Sequence, residues 1–227
     1  MSVKAMNIRT KISACLVSTL VFAGLSGSAF AQDPYLDLIQ GYRSNSIADR
    51  FPQTVGPFTL VKHSVNPQDF GVTAEYEAVD AKATVIMAGV KANNRAAAYP
   101  IKDGADDPVV RDLFEKATQY HSTQPGEIAV QSTLPYSVGL AMPCVSADAA
   151  QEKHAFLVCV VGMHSRYLLI QPAANYAKGS KEAAERTLSN FATSIATAMH
   201  DIGAPPPPPA DGAVAPANGA VTPAPAQ

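Results

Sequence analysis

Two nine-residue stretches are largely apolar at odd and even positions alike: "ATVIMAGVK" over 83–91 and "HAFLVCVVG" over 154–162. Successive side chains of a strand point to opposite faces. A run apolar at both parities therefore predicts a strand covered on both sides, in the middle of a sheet. The stretch "VTAEYEA" over 72–78 behaves differently. Val72, Ala74, Tyr76 and Ala78 fall on one face, and Thr73, Glu75 and Glu77 on the other. That alternation is the pattern of a half-buried strand.

Further strands are expected at "PFTLVKHSV" (57–65), "EIAVQSTL" (127–134), "YSVGLAMPC" (136–144) and "YLLIQP" (167–172), with "MHSR" (163–166) as a hairpin loop. Helices are fewer. "DPYLDLIQGY" (33–42) reads as a short N-terminal helix stopped at Gly41. Asp107 followed by Pro108 gives an N-cap and a first-turn proline, and Val110, Leu113, Phe114, Ala117 and Tyr120 supply the apolar stripe behind them. A last helix starts at Ser180 as cap, with Glu182 and Glu185 near its positive end. Its apolar face is Ala184, Leu188, Phe191, Ile195, Met199 and Ile202, and Gly203 and Pro205 end it.

The resulting order is β-β-β-α-β-β-β-β-α with hairpin-length links. It predicts an α+β fold in a single domain, a largely antiparallel sheet of about six or seven strands with helices packed on it. The three opening strands through "AKATVIMAGVK", the mid-chain helix, and "FLVCVVGMHSRYLLIQ" leading into the final helix resemble the α/β/α sandwich of PsbP-like proteins over residues 55–202. The resemblance is one of element order and implies no site residue. Many members of that family are non-enzymatic accessory factors.

The ends bound the domain. Lys4, Arg9 and Lys11 precede an apolar run from Ile12 to Leu25, and Ala29-Phe30-Ala31 follows, so a secretory leader over 1–31 is expected, cut between Ala31 and Gln32. The run is about 14 residues against the ~20 a bilayer core requires, and no later stretch is longer, so no membrane span is expected. Cys15 lies before most of that run, which separates it from a lipid-attachment site. Residues 204–227, "APPPPPADGAVAPANGAVTPAPAQ", contain no large hydrophobe and are expected to form a disordered Pro/Ala-rich tail with polyproline II character. The globular domain is thus residues 32–203.

Of the 17 Lys and Arg, three fall in the leader, which leaves 14 against 19 Asp and Glu, a formal charge of −5 after cleavage. With no Lys/Arg cluster, a nucleic-acid partner is not expected, and neither is an anionic membrane surface.

No sequence motif names a reaction. There is no G-x-S-x-G elbow, no Walker A loop and no G-x-G-x-x-G, and no catalytic residue, cofactor or metal is assigned. Glu75 and Glu77 lie ~7 Å apart by strand geometry and read as the wet face of their strand. Asp103, Asp106 and Asp107 in "DGADDP" lack the rhythm of a calcium loop and read as a turn and a cap.

Cys144, His154, Cys159 and His164 stand at C-x9-H-x4-C-x4-H, without the close pairs of a zinc site. Both histidines are five residues from Cys159, so strand parity turns them to the opposite face. An exported chain keeps thiols in an oxidising compartment. A Cys144–Cys159 disulfide across a hairpin over "SADAAQEK" is the expectation.

Function follows by exclusion. The leading reading is an exported, periplasmic, non-enzymatic binding or accessory module of the cell envelope, for an envelope protein or a small ligand. The alternatives are a periplasmic hydrolase, with His63, His121 or His164 beside a Ser, Asp or Glu in a concave pocket, and an envelope structural protein tethered by its tail.

Overall fold

The structure, a computed structural model, describes residues 42–66, 70–91 and 98–203. The leader over 1–31, the cleavage position Ala31/Gln32, the helix expected over 33–41 and the tail over 204–227 lie outside the described residues.

Among the described residues, ten strands and three helices form in the order α1 (Ser44–Ala48), β1 (Thr54–Val55), β2 (Phe58–Asn66), β3 (Gly71–Ala78), β4 (Ala81–Ala88), β5 (Val90–Lys91), β6 (Ala98–Tyr99), α2 (Pro108–Thr123), β7 (Glu127–Ser137), β8 (Leu140–Ala149), β9 (His154–Met163), β10 (Arg166–Asn175) and α3 (Lys181–His200). Eight strands make one sheet in the order β1-β2-β3-β4-β10-β9-β8-β7, and β5 and β6 form a separate two-stranded arm. Every pairing is antiparallel. The fold is α+β, with eight strands in the main sheet where the sequence pattern predicted six or seven. The extra strand is the two-residue β1, too short to show any periodicity.

Two meanders, β1–β4 and β7–β10, are joined where β4 pairs β10 from Tyr167↔Ala88 to Ala174↔Ala81. This seam explains the doubly apolar sequences. One face of the sheet carries Val72, Ala74 and Tyr76 from β3, Val85 and Met87 from β4, Leu157, Cys159 and Val161 from β9, and Leu168 and Ile170 from β10. All are buried with Leu188, Phe191, Ile195 and Met199 of α3 and Ile47 of α1. The other face packs Val160 against Ile101 of the link before α2 and Val110 of α2, with Tyr167 and Leu169 partly covered beside them. Strand β9 is therefore sandwiched between helices, as its sequence predicts. Strand β4 is not: Ala83, Val85 and Met87 are buried under α3, while Thr84 and Ile86 on the α2 side are only half-buried.

Local chemistry sets the boundaries. Asp107 caps α2 through Val109 N–H at 2.9 Å and also accepts from Lys102 N–H at 3.0 Å, which ties the incoming link to the helix. The buried stripe of α2 begins at Val110 but ends on His121. Tyr120, expected in it, is 52% exposed. Helix α3 buries Leu188, Phe191, Ile195 and Met199 as expected. Ser180 precedes α3, but its hydroxyl donates backward to Ala177 O at 2.8 Å and does not cap the helix. The stretch "YSVGLAMPC" is not one strand. Strand β7 runs through Ser137, Val138-Gly139 turns with Gly139 at φ 71°, and β8 starts at Leu140. His164 and Ser165 form the tight β9–β10 turn at φ 53° and 56°, a left-handed pair in the place where Asn-Gly is usual.

Candidate functional site

The cysteines are bonded. Cys144 and Cys159 are directly opposite in the β8·β9 register, with Cα atoms 4.1 Å apart, and both are fully buried in the main core. His154 lies on the far face of β9, where its ring packs on Phe156 at 4.3 Å and its Nδ1 is 2.6 Å from Asn175 Oδ1. His164 sits in the β9–β10 turn, its Nε2 3.0 Å from Met199 O at the C-terminal end of α3 and its ring 4.9 Å from that of Tyr42. The four residues do not converge. Among the described residues no group of three or more His, Cys, Asp or Glu is disposed to hold a metal.

The two fully outward glutamates are paired across strands, Glu75 with Lys62 at 3.7 Å and Glu77 with Lys82 at 3.1 Å, on exposed side chains. Such pairs contribute only ~0.2–1 kcal/mol each. Of "DGADDP", Asp107 is the helix cap described above.

Of the three histidines that a hydrolase would draw on, His63 is exposed on β2 opposite Ala74, and His164 is spent on a helix carbonyl. His121 has an acidic partner. Its Nδ1 lies 2.7 Å from Glu127 Oε2, with side chains 9% and 12% exposed. The carboxylate fixes the ring at the junction of α2 and β7, and Tyr120 at 5.2 Å and Phe156 at 5.7 Å pack around it. An oriented imidazole becomes a general base only with a hydroxyl, thiol or water to act on. The neighbouring hydroxyls of Ser122 and Thr123 donate to the α2 carbonyls of Thr118, Gln119 and Tyr120. The pair thus fastens a helix end to a strand start.

Two polar clusters went unnoticed in the sequence. Asp148 on β8 accepts from Tyr176 Oη at 2.5 Å and from Lys181 Nζ at 2.7 Å, and Lys181 also faces Glu185 at 3.7 Å. Burial alone would push the Asp148 carboxyl up. The hydrogen bonds from Lys181 and Tyr176, with the Lys181 charge, outweigh that and hold it below its ordinary value. The same carboxylate raises the Tyr176 phenol and the Lys181 ammonium. The second cluster is built on Arg166, fully buried at the start of β10. Its Nε donates to Phe70 O at 2.8 Å and one terminal nitrogen to Tyr42 O at 3.0 Å. Tyr42 in turn donates to Gly203 O. Arg166 thus gathers the first described residues, the β2–β3 connection and, through Tyr42, the end of α3.

A recess remains on the α2 face of β3, β4 and β10, at the margin of the cluster that α2 forms with Val90 and Tyr167. Thr73 is paired with Ile86, and Ala88 with Tyr167, so these four side chains share that face. With Asn66, Val90 and Lys91 they line a cleft of about 460 Å³, walled on one side by β5. Gly71 and Gly89 open its backbone. Among the described lining residues Lys91 alone carries a charge.

No family model matches the chain, and no curated protein matches it.

Proposed function

We propose that the chain is an exported, non-enzymatic binding module of the cell envelope whose ligand site is the cleft above β3, β4 and β10. The carrying observation is the composition of that recess. Ile86, Ala88 and Val90 give an apolar lining, Thr73, Asn66 and Tyr167 add a few polar groups, and Lys91 adds one cation. Small-molecule sites are concave, mainly apolar and fixed by a few polar groups, with volumes of roughly 300–1,000 Å³. A small ligand with an apolar body and an acidic head suits this lining. The leader-like N-terminus and the buried Cys144–Cys159 bond support export to an oxidising compartment such as the periplasm. Similarity to PsbP-like accessory proteins is part of the proposal. It is supported by the element order and by an antiparallel sheet with α3 on one face and α2 on the other.

The test is an NMR titration of residues 32–227 with benzoate, benzyl alcohol and benzylamine. Benzoate should shift the amides of Thr73, Ile86, Val90, Lys91 and Tyr167, the other two less, and Lys91→Gln should weaken benzoate by about tenfold, the scale of one charge-assisted contact. Shifts centred on His121, or ester hydrolysis abolished by His121→Ala, would replace this reading with the hydrolase.

A further inference from the structure

The two edges of the main sheet differ in kind. On one, β1 and the preceding Gln53 cover only Phe58 to Leu60 of β2, and the rest of β2 has an irregularity between Leu60 and Lys62 followed by the polar Lys62 and His63. Charges, bulges and short covering strands are how natural sheets block pairing with another chain. The other edge is β7, the longest strand, which has no strand on its outer side among the described residues. From Ile128 to Leu134 it reads "IAVQSTL", seven residues without a charge, bounded by Glu127 and Pro135. Ile128 is 67% and Val130 55% exposed. Among the described residues, four of the eight exposed large hydrophobics, Ile128, Val130, Val138 and Leu140, lie on this strand or its hairpin. Strand β7 has its own proline and an irregularity between Pro135 and Ser137, but the stretch before them carries neither, and uncharged, β-branched edge stretches of this kind are templates for strand addition.

We infer that the occupant of this edge is a second copy of the chain, paired β7 to β7 in antiparallel fashion about a twofold normal to the sheet. Such a twofold matches residues of equal parity, so the same face of both sheets stays in line. The midpoint of the uncharged stretch is Gln131. A register centred there sets Ile128 against Leu134 of the second copy and Val130 against Ser132, all on the α3 side, where Leu134 already packs on the core. It also sets Glu127 against Pro135, so the boundaries of the stretch meet each other. Like charges opposite one another destabilise a ladder, and homotypic pairing always faces a strand with its own charges. Strand β7 meets that condition. Its only ionisable acid, Glu127, is turned in to His121 at 2.7 Å and is 12% exposed.

Sedimentation of residues 32–227 into the upper micromolar range tests this, with variants V130K and V130K/S132E. The wild type should dimerise. V130K, at an exposed position, should keep its thermal transition and weaken the dimer about tenfold or more, and the double variant should recover much of the loss, because the register sets the new cation against the new anion. Hydrogen exchange should slow at β7 amides as the wild type is concentrated, a readout that needs no variant. A wild type that stays monomeric, a dimer indifferent to V130K, or exchange unchanged along β7 overturns the inference.

Discussion

Reducing the disulfide should cost this fold a large share of its stability, and the structure indicates where. The β8·β9 ladder runs from Ala149↔His154 to Cys144↔Cys159 and stops there. Beyond that pair the strands fork. Strand β9 continues to Met163, and Gly162 exchanges two backbone hydrogen bonds of 2.8 Å with Gly104 of the link into α2. The disulfide is therefore the last rung before a wedge of foreign backbone. It closes a loop of sequence separation 15. In the chain-entropy account a loop of about that length contributes ~3 kcal/mol by restricting the unfolded state. For a domain of this size that corresponds to a fall in Tm of roughly 6–12 °C, at about 2–4 °C per kcal/mol. The assay is urea and thermal unfolding of residues 32–227 with and without a phosphine reductant, scored against a thiol count of two after reduction. Cys144→Ala/Cys159→Ala is the permanent counterpart, and it should lose somewhat more because each buried sulfur leaves a small void. Hydrogen exchange should accelerate first around Met142–Val145. A fully reduced protein that unfolds within ~0.5 kcal/mol of the oxidised one would refute the reasoning, since the link would then restrict nothing that the chain through β8 and β9 does not already restrict.

The Asp148 cluster makes the fold sensitive to acid. The carboxyl lies below its ordinary value of 3.8 when folded, so its contribution is complete above that pH and disappears as pH falls through the lowered value. Asp148→Asn should flatten the acid limb of a stability–pH curve and cost about 1–3 kcal/mol at neutral pH. Tyr176 and Lys181 are raised, so their contribution is present below their ordinary values and lost as pH climbs through the folded ones; Tyr176→Phe should reduce that alkaline loss in the same titration. Gly162→Ala would drive a Cβ into the carbonyl oxygen of Lys102, so the link must move off β9. A loss of about 1–3 kcal/mol in urea unfolding is expected, as for other overpacked sites. Glu127→Gln keeps the shape of the His121 pair but not its charge and should cost about 1–2 kcal/mol, measured the same way.

Strand parity was the most informative signal in the sequence because it depends on one local fact, the alternation of side chains. It located β3 and β9, and it separated His154 from Cys159 correctly. It placed β4 in the middle of the sheet correctly but overstated its cover on the α2 side, and the reason lies outside the strand. The sequence of β4 is apolar at both parities, but α2 lies over β7, β8 and β9 and leaves Thr84 and Ile86 half-covered. Apolar pattern reports what a strand can tolerate on a face, and the helix that covers the face is fixed by the chain path. The break at Val138-Gly139 was missed for a different reason. Apolar residues continue on both sides of a two-residue turn, and only the glycine's left-handed φ marks it.

The excess apolarity of β4 also bears on function. An isoleucine on a wet sheet face gains nothing from burial that α2 does not provide. Ile86 and Ala88 nonetheless stand beside Val90 and Tyr167 at the margin of the α2 cluster, where Ile86 stays half-covered. Most of that face farther along β3 and β4 is treated in the ordinary way, with Glu75, Glu77, Lys62 and Lys82 paired in solvent. One strand pair thus changes from charged to apolar along its length, and the cleft begins where it changes. None of this was visible as a motif, because Thr73, Ile86, Lys91 and Tyr167 come from four places in the chain and meet only through the β3·β4 and β4·β10 registers. The same holds for His121 and Glu127, six residues apart across a helix end and a turn. Single-chain pattern could name His121 as a candidate, but the acid beside it depended on where β7 begins. That pair lies packed against Phe156, whereas the cleft lies open, and this difference in access is what supports the proposed binding role over the hydrolase alternative.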